Sequence, residues 1–179
     1  MEIASLFRGM WWYWRRNVLA RGVPRLKGPG NRLDVARRGT VVMGAGCTFD
    51  RDVEIVVYSG GRLEIGDNVY VGHGSTIACA DSIIIGSETL IGDLVSIRDM
   101  NHRRVPGVAM RHSGIETRPI RIGTNCWLGS KATLVAGCEL GSEVTVAANA
   151  VVTGRFEDSL LIGGVPARVL RGKREGEGG

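Results

Sequence analysis

Cysteine, proline and histidine are all scarce in this chain of 179 residues, which contains four, five and three of them. The cysteines (Cys47, Cys79, Cys126 and Cys138) form no CxxC pair and no zinc spacing, so we expect small buried thiols in a reducing compartment. No secretory signal peptide is recognisable, and no run approaches the roughly 18 apolar residues of a spanning helix. These absences predict a protein of the cytoplasm, or of the inner face of a membrane.

The positive charge is concentrated at one end of the chain. The formal net charge is +5, but residues 1–40 hold nine Lys/Arg against two acidic residues, a net of +7, so that the remainder carries −2. A basic protein can be a nucleic-acid binder. Here the basicity belongs to an N-terminal arm and not to the body, and we expect no nucleic-acid partner.

Glycine is abundant, with 27 residues, and much of it follows an aliphatic residue at intervals of six. The resulting ladder has fifteen apolar rungs: Met43, Phe49, Ile55, Ile65, Val71, Ile77, Ile85, Ile91, Ile97, Ile122, Leu128, Leu134, Leu140, Val146 and Val152. Four positions after most rungs stands a small or β-branched residue: Cys47, Val53, Val69, Ser75, Thr89, Val95, Cys126, Ala132, Cys138, Val144 and Ala150.

A period of six fits neither an α-helix nor a meander of hairpins. It fits a short strand followed by a corner, with three such units closing one triangular coil, and stacked coils make a solenoid with an aliphatic core. Three insertions interrupt the ladder: around Ser59–Gly61, after Ile77, and in a long excursion from Arg98 to Arg121. Loops at the corners of a solenoid commonly carry function.

The motif [LIV]-G-x-x-[STAVC]-x resembles that of the hexapeptide-repeat acyltransferases. The resemblance covers roughly residues 40–171 and implies an all-β fold, a left-handed parallel β-helix. We therefore divide the chain into an N-terminal amphipathic helix and basic arm (1–39), the β-helix domain with its loop 98–121 (40–171) and a disordered tail (172–179).

The excursion also resembles a family feature. It begins Ile97-Arg98-Asp99-Met100-Asn101-His102 and returns as Pro119-Ile120-Arg121-Ile122-Gly123-Thr124-Asn125-Cys126-Trp127-Leu128-Gly129. In galactoside and maltose acetyltransferases and their polysaccharide-modifying relatives, the loop at this point carries the catalytic histidine. The resemblance therefore implies that His102 is the general base, since histidine titrates near neutral pH and can take a proton from a sugar hydroxyl.

Acetyl-CoA is the co-substrate that the resemblance implies. Ser130, Ala148 and Thr153 match positions beside the pantetheine arm and nucleotide, while Arg168 and Arg171 match cationic positions near the phosphates, with ordinary exposed charges as the alternative. The family's usual Val-Thr-Lys reads Val152-Thr153-Gly154 here, and Arg155 is the candidate replacement for the lysine.

On the acceptor side, the resemblance implies that Trp127 is a wall near the reacting groups, with plain packing as the alternative. Asp81 breaks the repeat where a small apolar residue is expected, so it is a candidate to bind a hydroxyl or orient the histidine, unless its charge simply turns outward. Asn101 is a further candidate, next to His102. No metal ligand is expected.

An amphipathic helix is predicted near the N-terminus. Its apolar stripe comprises Ile3, Leu6, Phe7, Met10, Trp11, Trp14 and Val18, flanked by Trp12, Tyr13, Arg15 and Arg16. Such a helix can pack on the solenoid or on a partner subunit, or it can lie on an anionic membrane.

The predicted function is an O-acetyltransferase acting on a hydroxyl of a sugar or glycosylated small molecule, by direct transfer in a ternary complex. The resemblance implies a homotrimer with sites between neighbouring solenoids. Two alternatives are a zinc carbonic anhydrase of the same fold, which would need His73, His102 and His112 on one metal, and a non-catalytic scaffold.

Overall fold

The computed structural model describes the backbone of residues 2–171 and the side chains of residues 4–171. The predicted tail, 172–179, lies outside the described residues. Within the described residues, a single α-helix, α1 (Glu2–Tyr13), precedes 23 short strands. Most of these strands form three sheets, A, B and C, which the chain visits in that order, again and again.

Sheet A contains β1 (Val18–Ala20), β4 (Thr40–Met43), β7 (Arg62–Ile65), β10 (Ser82–Ile85), β15 (Ile120–Ile122), β18 (Glu139–Leu140) and β21 (Arg155–Phe156). Sheet B contains β2 (Arg25–Leu26), β5 (Thr48–Phe49), β8 (Tyr70–Val71), β11 (Leu90–Ile91), β16 (Trp127–Leu128), β19 (Thr145–Val146), β22 (Leu161–Gly163) and β23 (Arg168–Arg171). Sheet C contains β3 (Arg32–Val35), β6 (Glu54–Val57), β9 (Thr76–Cys79), β12 (Ser96–Arg98), β17 (Thr133–Val135) and β20 (Val151–Val152). A separate hairpin pairs β13 (Met100–His102) with β14 (Ile115–Thr117).

Each circuit of the three sheets is one coil of a parallel β-helix, left-handed as predicted, and about six coils are stacked. Equivalent strands of successive coils pair in parallel and in register, so that Ile85 lies between Ile65 below and Ile122 above. All fifteen rungs of the ladder are buried, and so are the eleven small or β-branched residues four positions after a rung. The prediction of a stacked aliphatic core is confirmed.

The glycine after the rung has a more specific reason than relief of a corner. A Cβ atom added to Gly86 would lie 2.5 Å from the backbone carbon of Gly123, and one added to Gly123 would lie 2.5 Å from that of Gly141. Neither glycine has a positive φ angle. These residues are therefore required because adjacent coils approach too closely for a side chain.

All three interruptions of the ladder fall at the corner between sheets C and A. Tyr58–Gly61 connects β6 to β7, Ala80–Asp81 connects β9 to β10, and the long loop connects β12 to β15. The extra residues therefore gather along one edge of the prism, and the corners between A and B and between B and C stay uniform.

The stack of coils begins before residue 40. Strands β1, β2 and β3 pair in parallel with β4, β5 and β6 and form a first coil, with Val18, Leu26 and Leu33 buried. The predicted boundary at residue 40 thus falls between the first and second coils. The prediction that Val18 belongs to the helical stripe is wrong. Helix α1 ends at Tyr13, and the chain turns at Asn17, whose φ is 71°, before Val18 begins β1.

Helix α1 packs against β2 and β1 of the first coil. Its contact face is made by Trp12, which is 1% exposed with its ring centroid 5.1 Å from that of Phe49, together with Ser5 and Gly9. Gly9 permits this approach, because a Cβ atom there would collide with the carbonyl oxygen of Pro24. Trp12, predicted to flank the apolar stripe, is instead the residue that attaches the helix to the solenoid.

Candidate active site

The long loop begins and ends as an antiparallel hairpin that extends from the C–A corner. Within it His102 pairs with Ile115 and Asn101 with Glu116, and both His102 and Asn101 are exposed. Adjacent residues of a strand point to opposite faces, so the side chains of Asn101 and His102 do not face the same side of the hairpin. The imidazole of His102 makes no hydrogen bond or ion pair with any other residue that the structure describes.

The hairpin is attached to the solenoid by Asp99, whose side chain is completely buried. Its Oδ1 accepts a hydrogen bond from the backbone N–H of Ala80 at 2.7 Å, and its Oδ2 accepts one from Asp81 at 2.8 Å. Its backbone carbonyl accepts a third, from the N–H of Arg118 at the other end of the loop, at 2.9 Å. Asp99 therefore joins both ends of the loop to the preceding coil.

From the sequence alone, Asp99 is only one of several candidates in the loop, with Arg103, Arg104 and Glu116, and none of them has a firm match. The signal was the two-residue insertion after Ile77, since the amides that Asp99 binds belong to the inserted Ala80–Asp81. Its partners belong to the previous coil, so their proximity appears only once the coils are stacked in register. Asp81 is placed at the same corner, one coil before the loop, and is partly exposed. Its carboxylate makes no bond with another described residue.

A basic groove lies on sheet A next to the return of the loop. It is lined by Arg118, Arg121, Glu139 and Arg155 around Gly137. Arg155 is paired with Glu139 at 3.1 Å, while both side chains stay accessible. The groove contributes three guanidinium groups close to the hairpin.

The candidate acetyl-CoA positions are distributed along the upper part of sheet C. Ser130 precedes β17, Ala148 precedes β20 and Thr153 follows β20. Strand β17 pairs with β12, from which the long loop departs. Ser130, Ala148 and Thr153 are all exposed, so sheet C is accessible at these positions on the coils that follow the loop.

Arg168 and Arg171 are at the C-terminal end of the stack. Both are exposed residues of β23, which pairs antiparallel with β22 of sheet B. The segment leading to β23 also contacts sheet C, since the N–H of Ala167 donates to the carbonyl of Val151 at 2.8 Å. The two arginines are therefore near the last strand of the surface that includes Ala148 and Thr153.

Trp127 lies in β16, in the middle of sheet B. It is 56% exposed and stands beside Leu90 of the preceding coil, with Tyr70 one coil further. In a three-sided prism, sheet B is the side opposite the C–A corner. The structure therefore does not bring Trp127 and His102 of one chain together.

The other two histidines lie apart from any shared metal site. His73 is at the B–C corner, where its backbone N–H donates to Asp93 Oδ1 at 3.0 Å and its Nδ1 is 3.6 Å from Asp52 Oδ2. His112 ends an exposed 3₁₀ turn, Met110–His112. Among the residues that the structure describes, no three His, Cys, Asp or Glu side chains are grouped so that they could hold a metal ion.

The cysteines are free and buried, as predicted. Burial raises the pKa of the Cys138 thiol to about 12. Burial, and next the charge of Asp99, raises the pKa of Cys79 to about 12. Thiols in this state are poor nucleophiles at neutral pH, so neither cysteine is a candidate nucleophile.

The sequence matches, over residues 62–92 and 119–154, the family model described as hexapeptide repeat of succinyl-transferase. It is 30% identical over 141 residues to an Escherichia coli (strain K12) protein named "Putative lipopolysaccharide biosynthesis O-acetyl transferase WbbJ", covering 74% of this chain and 72% of that protein. The chain belongs to the hexapeptide-repeat acyltransferases. Another member of this group, the galactoside O-acetyltransferase of the same strain, is 30% identical over 63% of this chain and 55% of its own length.

Solved structures of acyltransferases share the fold. A hexapeptide-repeat acetyltransferase of Vibrio cholerae O1 biovar eltor, crystallised with acetyl-CoA, superposes with a TM-score of 0.61 at 25% identity, over 69% of this chain and 66% of that one. The N-acyltransferase AntD of Bacillus cereus superposes with a TM-score of 0.73 over 92% of this chain and 89% of its own. At 13% identity, the likeness to AntD concerns the fold alone.

Proposed function

We propose that this hexapeptide-repeat acyltransferase moves the acetyl group of acetyl-CoA to a hydroxyl of a sugar, in a surface polysaccharide or a glycosylated small molecule. The observation that carries the proposal is the exposed and unpaired imidazole of His102, on a hairpin fixed to the solenoid by Asp99. Relatives named as sugar O-acetyltransferases, and one crystallised with acetyl-CoA, support the choice of donor and acceptor.

In the proposed reaction both substrates are bound at once. A ring nitrogen of neutral His102 removes the proton of the acceptor hydroxyl as its oxygen attacks the thioester carbonyl carbon. The carbon–sulfur bond then breaks, and the imidazolium returns its proton to the departing thiolate of coenzyme A. No covalent enzyme intermediate is formed, so the work of the protein is to position the two substrates.

The accessible surface along sheet C is the proposed place of acetyl-CoA. Ser130, Ala148 and Thr153 would face the pantetheine arm, and the guanidinium groups of Arg155, Arg168 and Arg171 would neutralise the phosphates. Arginine suits this role because its planar group binds phosphate oxygens in pairs. On the acceptor side, the unpaired carboxylate of Asp81 would accept hydrogen bonds from sugar hydroxyls. Asn101, on the other face of the hairpin, is the weaker candidate.

A cyclic trimer is the proposed assembly. Trp127 can line the site of His102 only if it comes from a neighbouring copy, since the two lie on opposite sides of one prism. The loop itself exposes apolar side chains that a neighbour would cover, namely Val105, Val108, Met110 and Ile115. Each site would then lie between two solenoids.

Replacing His102 tests the proposed base. His102→Ala should retain the fold and acetyl-CoA binding, because the side chain is exposed, and should lose about 10²–10⁴-fold in kcat, the usual contribution of a general base. His112→Ala, in the same loop, is the matched control and should retain its rate. Turnover is measured by thiol release from acetyl-CoA with a panel of sugars. Near-normal kcat in His102→Ala on an accepted sugar would refute the assignment.

Neither alternative is favoured by a specific observation. A carbonic anhydrase site would need His73 and His102 on one metal, and they stand at different corners. A scaffold would have no use for an unpaired histidine on an anchored hairpin.

A further inference from the structure

Helix α1 presents an apolar face to solvent. Five large side chains are exposed on it or, for Trp14, directly after it, where the N–H of Trp14 still donates to the carbonyl of Met10 at 3.0 Å: Leu6 (40%), Phe7 (68%), Met10 (42%), Trp11 (64%) and Trp14 (76%). This is the predicted stripe, except for Val18 in β1 and for Ile3, whose side chain lies outside the described residues. A contiguous apolar patch on an isolated chain marks a surface that contacts something else.

The solenoid of the same chain is not what covers the stripe. The helix already packs on the first coil through Ser5, Gly9 and Trp12. At 100° per residue, Phe7 and Trp14 are each two positions from this contact face and therefore point away from it. The contact is made by one bulky residue and two small ones. Most of the large aromatic side chains of the helix therefore face outward.

The segment that carries the stripe is basic. Residues 3–33 contain no acidic residue and seven basic ones: Arg8, Arg15, Arg16, Arg21, Arg25, Lys27 and Arg32. Two of them are paired with carboxylates, Arg21 with Asp67 and Arg32 with Asp34 and Glu54, so the excess positive charge rests on the other five. Arg15 stacks on the ring of Trp11, 4.6 Å from its centroid, and Arg16 is exposed. Tryptophan beside arginine is the composition of helices that lie in the interface of anionic bilayers.

We propose that the exposed face of α1 (Leu6, Phe7, Met10, Trp11 and Trp14) docks on an anionic lipid surface, with the stack of coils standing on it. A second copy of the chain is a poorer occupant, because packing stripe on stripe would bring several basic, acid-free segments together, and like charges repel. The loop and Trp127, which we assign to contacts between copies, lie on lateral faces, and the loop leaves the stack three coils, about 14 Å, from the first coil.

Vesicle binding of the full-length protein tests the proposal. The probes are vesicles of phosphatidylcholine alone and of phosphatidylcholine with phosphatidylglycerol, at low and high salt. Wild type should float with the anionic vesicles at low salt, and salt should weaken binding by screening. Phe7→Ser/Trp14→Ser should reduce the partition coefficient at least tenfold. Arg16→Gln should reduce it about fivefold, the contribution of one basic residue near such a surface.

The control variant is Val165→Ser/Val169→Ser, which removes two exposed apolar side chains at the opposite end of the stack and should bind like wild type. Thermal unfolding and sedimentation of each variant accompany the assay. Wild type that ignores anionic vesicles at low salt, or a Phe7→Ser/Trp14→Ser variant that binds like wild type, overturns the proposal. So does a Phe7→Ser/Trp14→Ser variant that falls apart into monomers, because the stripe would then be a subunit contact. None of these outcomes depends on the proposed reaction.

Discussion

Asp99 and His102 are three positions apart in the chain and do opposite things. His102 is exposed and unpaired. Asp99 has no accessible surface, and each of its carboxylate oxygens accepts a hydrogen bond from a backbone N–H group. A carboxylate used in this way is a connector: it ties the exit of the loop to the coil before it. We infer that Asp99 is a positioning residue for the hairpin that carries His102.

The substitution Asp99→Asn tests whether Asp99 positions the hairpin, as distinct from supporting the overall fold. The amide has nearly the same volume but only one acceptor oxygen, so the N–H of Ala80 or Asp81 would face an NH₂ group and lose its partner. We expect a loss of about 1–3 kcal/mol at the corner. We also expect a fall in kcat of up to about 10²-fold, as for a displaced catalytic group.

Hydrogen exchange of the hairpin amides should rise together with the loss of rate in Asp99→Asn, which a purely global loss of stability would not produce selectively. Asp158→Asn is the control, because Asp158 accepts a hydrogen bond from the N–H of Ser142 at a corner away from the loop. If Asp99→Asn keeps both its kcat and the protection of its hairpin, Asp99 has no positioning role.

At the scale of single residues, the sequence was most informative about the core. Every rung of the ladder is buried because a six-residue period leaves each rung one inward direction. It was least informative about residues whose partners are in another coil. Asp99 is one example. Trp12 is another, since its partner Phe49 is 37 positions away and the helical pattern gave Trp12 only a flanking place.

The coil is the repeating element, and glycine allows successive coils to approach as closely as their strand pairing requires. A Cβ atom at Gly86 would contact the backbone of the next coil at 2.5 Å, whereas one at Gly154 would have no neighbour within 4 Å. We expect Gly86→Ala to lower the free energy of unfolding by about 1–3 kcal/mol, as overpacking does. Gly154→Ala should be neutral or raise it slightly, because it restricts the unfolded chain.

Denaturant titration of these two glycine variants distinguishes close approach from corner geometry as the reason for the glycines. Equal effects at Gly86 and Gly154 would contradict close approach, since only Gly86 has a coil against it.

Helix α1 shows what a periodic pattern can and cannot predict. The existence of the helix and its apolar stripe followed from spacing alone. Its orientation did not, because a small residue at position 9 signals a close approach only when the backbone of Pro24 is known to be opposite. The first coil was missed for a related reason: β1, β2 and β3 lack the aliphatic-glycine pairs that mark the later coils.

For the whole molecule, the decisive issue is whether one copy suffices for catalysis. Trp127 and the hairpin of His102 lie on opposite sides of the prism. If both serve one site, then each site takes His102 from one subunit and Trp127 from its neighbour. In a cyclic trimer this arrangement repeats three times, once at each interface.

Complementation between inactive variants tests the shared site. His102→Ala and Trp127→Ala should each be impaired alone. When the two proteins are unfolded together at equal amounts and refolded, an intact site arises wherever a Trp127→Ala subunit supplies His102 to a His102→Ala neighbour. Random mixing into cyclic trimers restores about a quarter of the wild-type sites. Activity that stays at the level of the separate variants, or full activity in a sedimenting monomer, would contradict a site built by two copies.

The two ends of the solenoid are finished differently from its middle. At the start, Arg8 donates to the free carbonyl of Leu26 in β2, and Arg15 donates to that of Leu33 in β3. At the other end, β23 runs antiparallel along β22, and Gly164 and Ala167 bond to Val151 of β20. A stack of identical parallel coils is otherwise a template on which another stack can grow, since unpaired strand edges recruit strands. On sheets B and C some of the backbone groups of the outermost parallel strands are already bonded in this way, which makes both ends of the stack poorer templates for a second stack.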